Sequence, residues 1–412
     1  MERLTGLIGI LLLIGTAYGL SNNRKRISMN IVGWGLGLQI IFAFIILKTP
    51  IGRPFFTILD KIIKKLIGFS DAGSDFLFKS FVPDVGYHVA MVNFAFRALP
   101  VIIFFSSLIA LTYHFGIIQF IIKWIARGMQ KTMKTSGAET LSISANIFVG
   151  QTEAPIIVRP FISSMTHSEL MAIMTGGFAT VAGSVLALYV SWLGYIEGIA
   201  GHLLAASVMS APAALMIAKI IYPETKTSQT AGDLRISIEK QDTNAMDAIG
   251  RGATDGLKLA ANVGAMLIAF VSIIAMINYI LGFADTSMQA LLGFIFKPLA
   301  WSMGVPWEEA GIIGSLMGEK IVLTELVAYG DLGNILKEQA LTGKEILSER
   351  SVIIASYALC GFANFGSIGI QLGGIGAMAP ERRKDLAELA IKAMIGGALA
   401  SWMTATIAGM LI

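Results

Sequence analysis

Two stretches of the chain set a carboxylate inside apolar sequence: Gly150-Gln151-Thr152-Glu153-Ala154-Pro155 and Val322-Leu323-Thr324-Glu325-Leu326-Val327. A Glu at membrane depth costs about 2.5–3.5 kcal/mol on insertion scales, and it persists where it faces a cavity, a partner or a transported solute. Each Glu therefore marks a site. Gln151 and Thr152 beside the first favour a polar binding site, and Asn364, Ser367 and Gln371 punctuate a glycine-dense stretch from Gly361 to Gly376. A second small-residue run, Met174 to Val185, holds Gly176, Gly177, Thr180, Gly183 and Ser184. Such density invites helices to unwind, and half-helix ends with freed carbonyls suit a cation or a polar substrate. His88, His114, His167 and His202 are scattered without metal-ligand spacing.

The elements that position these groups are those of an integral membrane protein. Hydrophobic residues make up 55% of the 412 and charged residues 14%, with a mean hydropathy of +0.72, against roughly 25% charge in soluble domains. The fold class is all-α. Eight transmembrane helices are expected over Leu4 to Leu20, Met29 to Leu47, Leu99 to Phe120, Leu170 to Trp192, Gly201 to Ile221, Gly256 to Leu281, Ser351 to Ile375 and Leu386 to Ile412. Each is near the ~20 residues that cross a ~30 Å hydrocarbon layer. The first apolar run is read as a retained helix, because Arg24-Lys25-Arg26 follows it rather than a small-residue cleavage site. Basic loops at Arg24 to Arg26, Lys123 to Lys134 and Arg382 to Lys384 fall on one, cytoplasmic, side if both termini are outside, although Lys61, Lys64 and Lys65 oppose them. The lone Cys360 excludes an intrachain disulfide, and the net charge of +4 reflects loop bias rather than nucleic-acid binding.

Repetition organises the chain. Residues 120–129, FIIKWIARGM, recur at 294–303 as FIFKPLAWSM; Thr152-Glu153 is followed by Thr324-Glu325, and Gly177-Phe178-Ala179-Thr180 by Gly361-Phe362-Ala363-Asn364. Three matches in one order indicate duplication, with the two units entering from opposite sides as inverted repeats. Transporters recurrently place a substrate site at the midplane interface of such repeats. Lys134 to His167 and Trp307 to Glu338 are too interrupted to span alone and read as two re-entrant hairpins. The tip of the first is Gly150 to Pro155; Gly314, Gly318, Lys320 and Glu325 lie near that of the second. Irregular backbone at this depth is tolerated only inside protein or against water. Asp60 to Leu66 and Lys123 to Met133 read as interfacial helices, and Pro223 to Asp247 as a cytoplasmic linker.

Blander readings compete. Glu153 paired to Arg159, or Glu325 to Lys320, would be structural glue; Asn364 and Ser367, three apart on one helix face, would be packing groups, as would Phe362.

GQTEAP in the first hairpin, TE followed by LVAY in the second, and GFANFGSIGIQLGGIGAMAPERR near the C-terminus together resemble the concentrative nucleoside transporter family over Ala138 to Arg383. The resemblance implies a homotrimer in which the first three helices and the sixth form a scaffold and the hairpins with the unwound helices form a mobile transport domain. Here that divides the chain into 1–120, 121–222, 223–283 and 284–412. It implies that Gln151, Thr152 and Glu153, with Val185 beside them, contact the nucleobase. Glu325, Asn364 and Ser367 would hold the ribose hydroxyls, with Phe362 near sugar and base. It further implies a sodium site at Asn146, Val149, Thr180 and Val181, the two valines offering carbonyls only. The function implied is sodium-coupled nucleoside import across the plasma membrane, with Na+ as coupling ion, nucleoside and lipid as partners, and no enzymatic step. Thr324 and Leu326 depart from the family's usual Asn and Phe, which bears on selectivity. A proton-coupled symporter of the same fold, an intramembrane carboxylate hydrolase and, less favoured, a channel are the alternatives.

Overall fold

The structure, a computed structural model, describes residues 2–49, 52–79, 94–231 and 242–412. All regular secondary structure among the described residues is helical. The chain opens with α1 (Glu2–Gly19), α2 (Met29–Lys48), α3 (Gly52–Phe78), α4 (Leu99–His114) and α5 (Ile117–Met133). There follow α6 (Gly137–Ala145), α7 (His167–Ala179), α8 (Gly183–Trp192), α9 (Ile199–Ile221) and α10 (Ala245–Gly282). The last part is α11 (Met288–Ser302), α12 (Ala310–Val322), α13 (Glu325–Thr342), α14 (Glu349–Ala358), α15 (Phe365–Met378) and α16 (Arg383–Leu411). Six stretches among the described residues are long and apolar enough to cross a membrane; α1 and α15 are apolar but shorter.

Local chemistry sets the boundaries. Ser136 with Glu139 and Thr166 with Glu169 form reciprocal capping boxes that start α6 and α7. The expected span Leu99 to Phe120 stops at His114, because Gly116 takes φ +79 and turns the chain, and Phe120 belongs to α5. Leu170 to Trp192 and Ser351 to Ile375 are each two helices, broken at 180–182 and 359–364. The sixth span is longer than expected, at 38 residues. Asp60 does more than face an interface: its carboxylate accepts from the Ala200 amide at 3.0 Å, at the start of α9. His88 and residues 232–241 of the linker lie outside the described residues.

The buried centre is α7, α9, α14 and α16. At its middle the two breaks meet. Gly361 has φ +111, and a Cβ there would stand 2.7 Å from the Phe178 carbonyl oxygen. Only glycine satisfies both the dihedral and the contact. Against this centre fold two helical hairpins: α6 with the short helices 154–158 and 159–162, and α12 with α13. Gly314 and Gly318 lie in the body of α12 rather than near its tip. A Cβ at Gly314 would come 2.8 Å from the Lys297 amide nitrogen, and one at Gly318 2.6 Å from Leu292 Cβ. They serve close packing against α11, the commoner use of small residues in membrane helices.

Gly361→Ala is expected to destabilise the protein by about 2 kcal/mol or more, since the residue must take a left-handed dihedral and displace backbone. Gly373, with open space around its Cα, is the control. A lowered melting temperature in detergent for the first and none for Gly373→Ala is the expected pattern; equal melting would contradict the contact between the breaks.

Candidate functional site

Hairpin tips and helix breaks enclose a cavity of about 1010 Å³. Gln151, Thr152, Glu153, Val185, Glu325, Phe362, Asn364 and Ser367 all line it, so the structure brings together all the residues expected to bind substrate. Val149 also reaches its wall, while Asn146, Thr180 and Val181 lie buried behind it. The facing wall is α10, through residues such as Arg251, Lys258 and Asn262. Arg251 is neutralised there by a bidentate pair with Asp242, at 2.6 and 2.9 Å.

Glu325 opens α13, where the unpaired amides of a helix N-terminus favour an anion. It is 3% exposed. The Tyr189 hydroxyl donates to Oε1 at 2.9 Å, and Asn364 Nδ2 donates to Oε2 at 2.9 Å. The ring of Tyr189 is stacked on Tyr329 with centroids 4.2 Å apart, which fixes the hydroxyl. Asn364 caps α15: its Oδ1 accepts from the Ser367 amide at 2.8 Å. Asn364 and Ser367 are thus a cap and its partner, not a packing pair on a helix face.

Lys320 is fully buried and directs its ammonium to the broken helix, donating to Ala358 O at 2.9 Å, Cys360 O at 3.0 Å and Ser401 Oγ at 2.7 Å. Three donors meet three acceptors. The carbonyls orphaned by the end of α14 are thereby satisfied at a depth where water does not reach them. Glu153, by contrast, is exposed to the cavity; its carboxylate folds back over Gly150, and among the described residues it makes no ion pair with Arg159. Gln151 is tied down instead: Gln371 Nε2 donates to Gln151 Oε1 at 3.0 Å and to Met174 O at 3.1 Å.

The expected cation ligands gather where two helices end. α6 stops before Asn146 and α7 before Thr180, so the negative ends of both helix dipoles point at one region. The Gly183 amide donates to Phe148 O at 3.1 Å and laces the turn after α6 to the break at 180–182. Among the described residues both polar atoms of the Asn146 amide are buried without a hydrogen-bond partner, an expensive arrangement, and a coordinated cation would satisfy the oxygen. Amide oxygen, hydroxyl and freed carbonyls are hard donors suited to an alkali cation. The residues present fit sodium. No group of three or more His, Cys, Asp or Glu capable of holding a metal occurs among the described residues.

Tyr189, Lys320 and the tether role of Gln371 escape a reading of the sequence alone. A Tyr in an apolar helix is unremarkable, and a Lys five residues before a Glu reads as its partner; only Gln371, set among glycines, carried a visible signal.

The sequence matches the models for the C-terminus of Na+ dependent nucleoside transporters over residues 202–409, for their N-terminus over 8–81, and for the nucleoside recognition Gate over 95–196. The chain belongs to the Na+ dependent nucleoside transporter family. Its members transport rather than catalyse, and sodium is the coupling ion. It is 43% identical to the Bacillus subtilis "uncharacterized transporter YutK" over the full length of both. It is 39% identical to mouse sodium/nucleoside cotransporter 1, matching with all of this chain and 64% of the mouse protein. Among solved structures, CNTnw in an inward-facing substrate-bound state superposes with a TM-score of 0.92 at 45% identity, over all of this chain and 98% of that one. A doubly substituted form of CNTnw in an outward-facing state gives 0.91 over the same shares.

Tyr189→Phe keeps the stack on Tyr329 and removes one donor from a buried carboxylate, a loss of about 1.5–3 kcal/mol. Nucleoside uptake at limiting substrate is expected to fall tenfold or more. Undiminished uptake by the variant would show that the Tyr189 bond does not hold Glu325 for its role.

Proposed function

We propose that the protein is a sodium-coupled nucleoside symporter that brings nucleosides into the cell. One observation carries the reading: the carboxylates of both hairpins, Glu153 and Glu325, open on a single cavity beside a pocket suited to sodium. In this reading Gln151, Thr152 and Glu153 meet the base with Val185 packing alongside. Glu325, Asn364 and Ser367 take the ribose, and Phe362 covers the sugar–base junction. Tyr189 and Asn364 occupy one acceptor position on each oxygen of Glu325. A ribose hydroxyl that reaches this carboxylate from the cavity would form a bond strengthened by the charge.

Sodium at Asn146, Val149, Thr180 and Val181 sits at the base of the turn that carries Gln151 to Glu153. Binding it would order the hairpin tip and complete the nucleoside site, and the nucleoside would in turn hold the sodium pocket shut. The unpaired Asn146 amide favours sodium over protons as coupling ion, because an amide does not titrate.

The order of elements supports inverted repeats. An amphipathic helix, a hairpin, a broken helix and a long buried helix run as α5, α6 with its short partners, α7–α8 and α9, and again as α11, α12–α13, α14–α15 and α16. We read the hairpins as re-entrant and the units 121–222 and 284–412 as a transport domain. It would move as one block against a scaffold of 1–120 and 223–283. The inward- and outward-facing states of CNTnw support alternating access of this kind. α10, its most apolar window only 17% buried, offers the broad apolar face a homotrimer needs. We place both termini outside the plasma membrane.

In proteoliposomes with an inward sodium gradient, radiolabelled uridine should accumulate in wild type and collapse with choline in place of sodium. Glu153→Gln and Glu325→Gln should each abolish accumulation while the protein elutes as a folded species. Full uptake without sodium would overturn the coupling, and full uptake in either variant would remove that carboxylate from the site.

A further inference from the structure

We infer that Gln371 is a positioning residue that fixes which end of the Gln151 amide faces the cavity, so that the site presents an N–H donor and selects bases by a carbonyl acceptor. The inference rests on the nucleoside reading above and names the base chemistry that reading leaves open.

The Met174 carbonyl can only accept, and Gln371 lies 3.1 Å from it by its Nε2. That orients the Gln371 amide: the NH2 end must face Met174. The second hydrogen of the same NH2 then points at Gln151, 3.0 Å away, and a donor there demands the Gln151 oxygen. The orientation of one backbone carbonyl is thus relayed through two side-chain amides. Reversing either amide would set N–H against N–H or oxygen against oxygen inside protein, where Gln371 is fully buried and Gln151 only 6% exposed.

What remains of Gln151 is its own NH2. The residue lines the cavity, so this NH2 is the end left to meet a ligand there, while the Gln371 oxygen stays buried without a partner among the described residues. A ligand meeting this group must accept.

The surroundings are built for the relay. Gly177 on α7 leaves the space: a Cβ there would stand 2.7 Å from Gln371 Nε2 and 3.0 Å from Gln151 Cβ. Gly374, three residues past Gln371 on α15, admits Thr152, whose Cγ2 would meet an added Cβ at 2.6 Å. The hairpin tip is therefore seated on α15 side by side with the tether.

α15 also sets a distance. Asn364 caps the helix, and Ser367 and Gln371, four apart within it, share one face. Asn364 bonds Glu325 at the helix start, and Gln371 bonds Gln151 two turns on. Seven residues at a rise of 1.5 Å separate these anchors by about 10 Å along the axis. One rigid helix spaces the ribose-side carboxylate from the base-side amide.

The test is base selectivity in two matched pairs, uridine against cytidine and inosine against adenosine, each differing by a carbonyl or an amino group at one edge. Uptake efficiency at limiting substrate is measured for all four in wild type and in Gln371→Met, which keeps bulk and removes the relay. Wild type should favour the carbonyl member of each pair by about threefold to tenfold, the worth of one hydrogen bond. In Gln371→Met both ratios should move toward one, because Gln151 can then offer either end; a purely structural loss would lower all four rates and leave the ratios standing. Should Gln371→Met not assemble, Gln151→Met replaces it and should erase the carbonyl preference. Preference for the amino members in wild type, or unchanged ratios in a transporting variant, overturns the inference. Uptake of none of the four by wild type overturns the nucleoside reading itself.

Discussion

A carboxylate in apolar protein must be met by donors, and much of the site's architecture follows from meeting Glu325. Two of its protein donors come from different elements, Tyr189 on α8 and Asn364 at the head of α15. Each is itself held, Tyr189 by stacking on Tyr329 and Asn364 by capping Ser367. For Asn364 to stand there, the helix that would have run from Glu349 to Met378 has to break, and breaking it frees carbonyls. Lys320 answers two of them with a buried ammonium. The charge is tolerated because its three hydrogens are all accepted, the condition under which buried ions are not ruinous.

Hairpin 1 solves a different problem. Its tip carries Glu153 into the cavity, with its carboxylate folded back over Gly150. The tip is seated through Gln151 on Gln371 and through Thr152 on Gly374. Its root ends at Asn146, where an amide without partners faces the converging ends of two helices. In the proposed reading, a cation at the root and a solute at the tip would act on the same short turn, a direct physical route for coupling.

The chemistry of the site was legible in the sequence because it is anomalous: a Glu after a Thr in an apolar run, or Asn and Ser between glycines, has few structural excuses in a membrane. The count of spans was less legible. A stretch such as Ser351 to Ile375 has the apolarity of one crossing; its glycines mark it for unwinding, but where the helix breaks depends on Lys320 arriving from another helix. Glycines misled in one place, since Gly314 and Gly318 lie in a continuous helix and serve contact with α11. Supporting residues such as Tyr189 are ordinary by composition and acquire a role only through what stands across from them. Sequence exposed the groups that break local rules, and the structure supplied those that compensate.

The central claim, that ion and nucleoside complete one another's sites, is tested most directly by binding to purified protein, free of any gradient. Nucleoside affinity titrated with and without sodium, and sodium affinity titrated with and without nucleoside, should rise by the same factor. A nucleoside affinity indifferent to sodium would contradict the account.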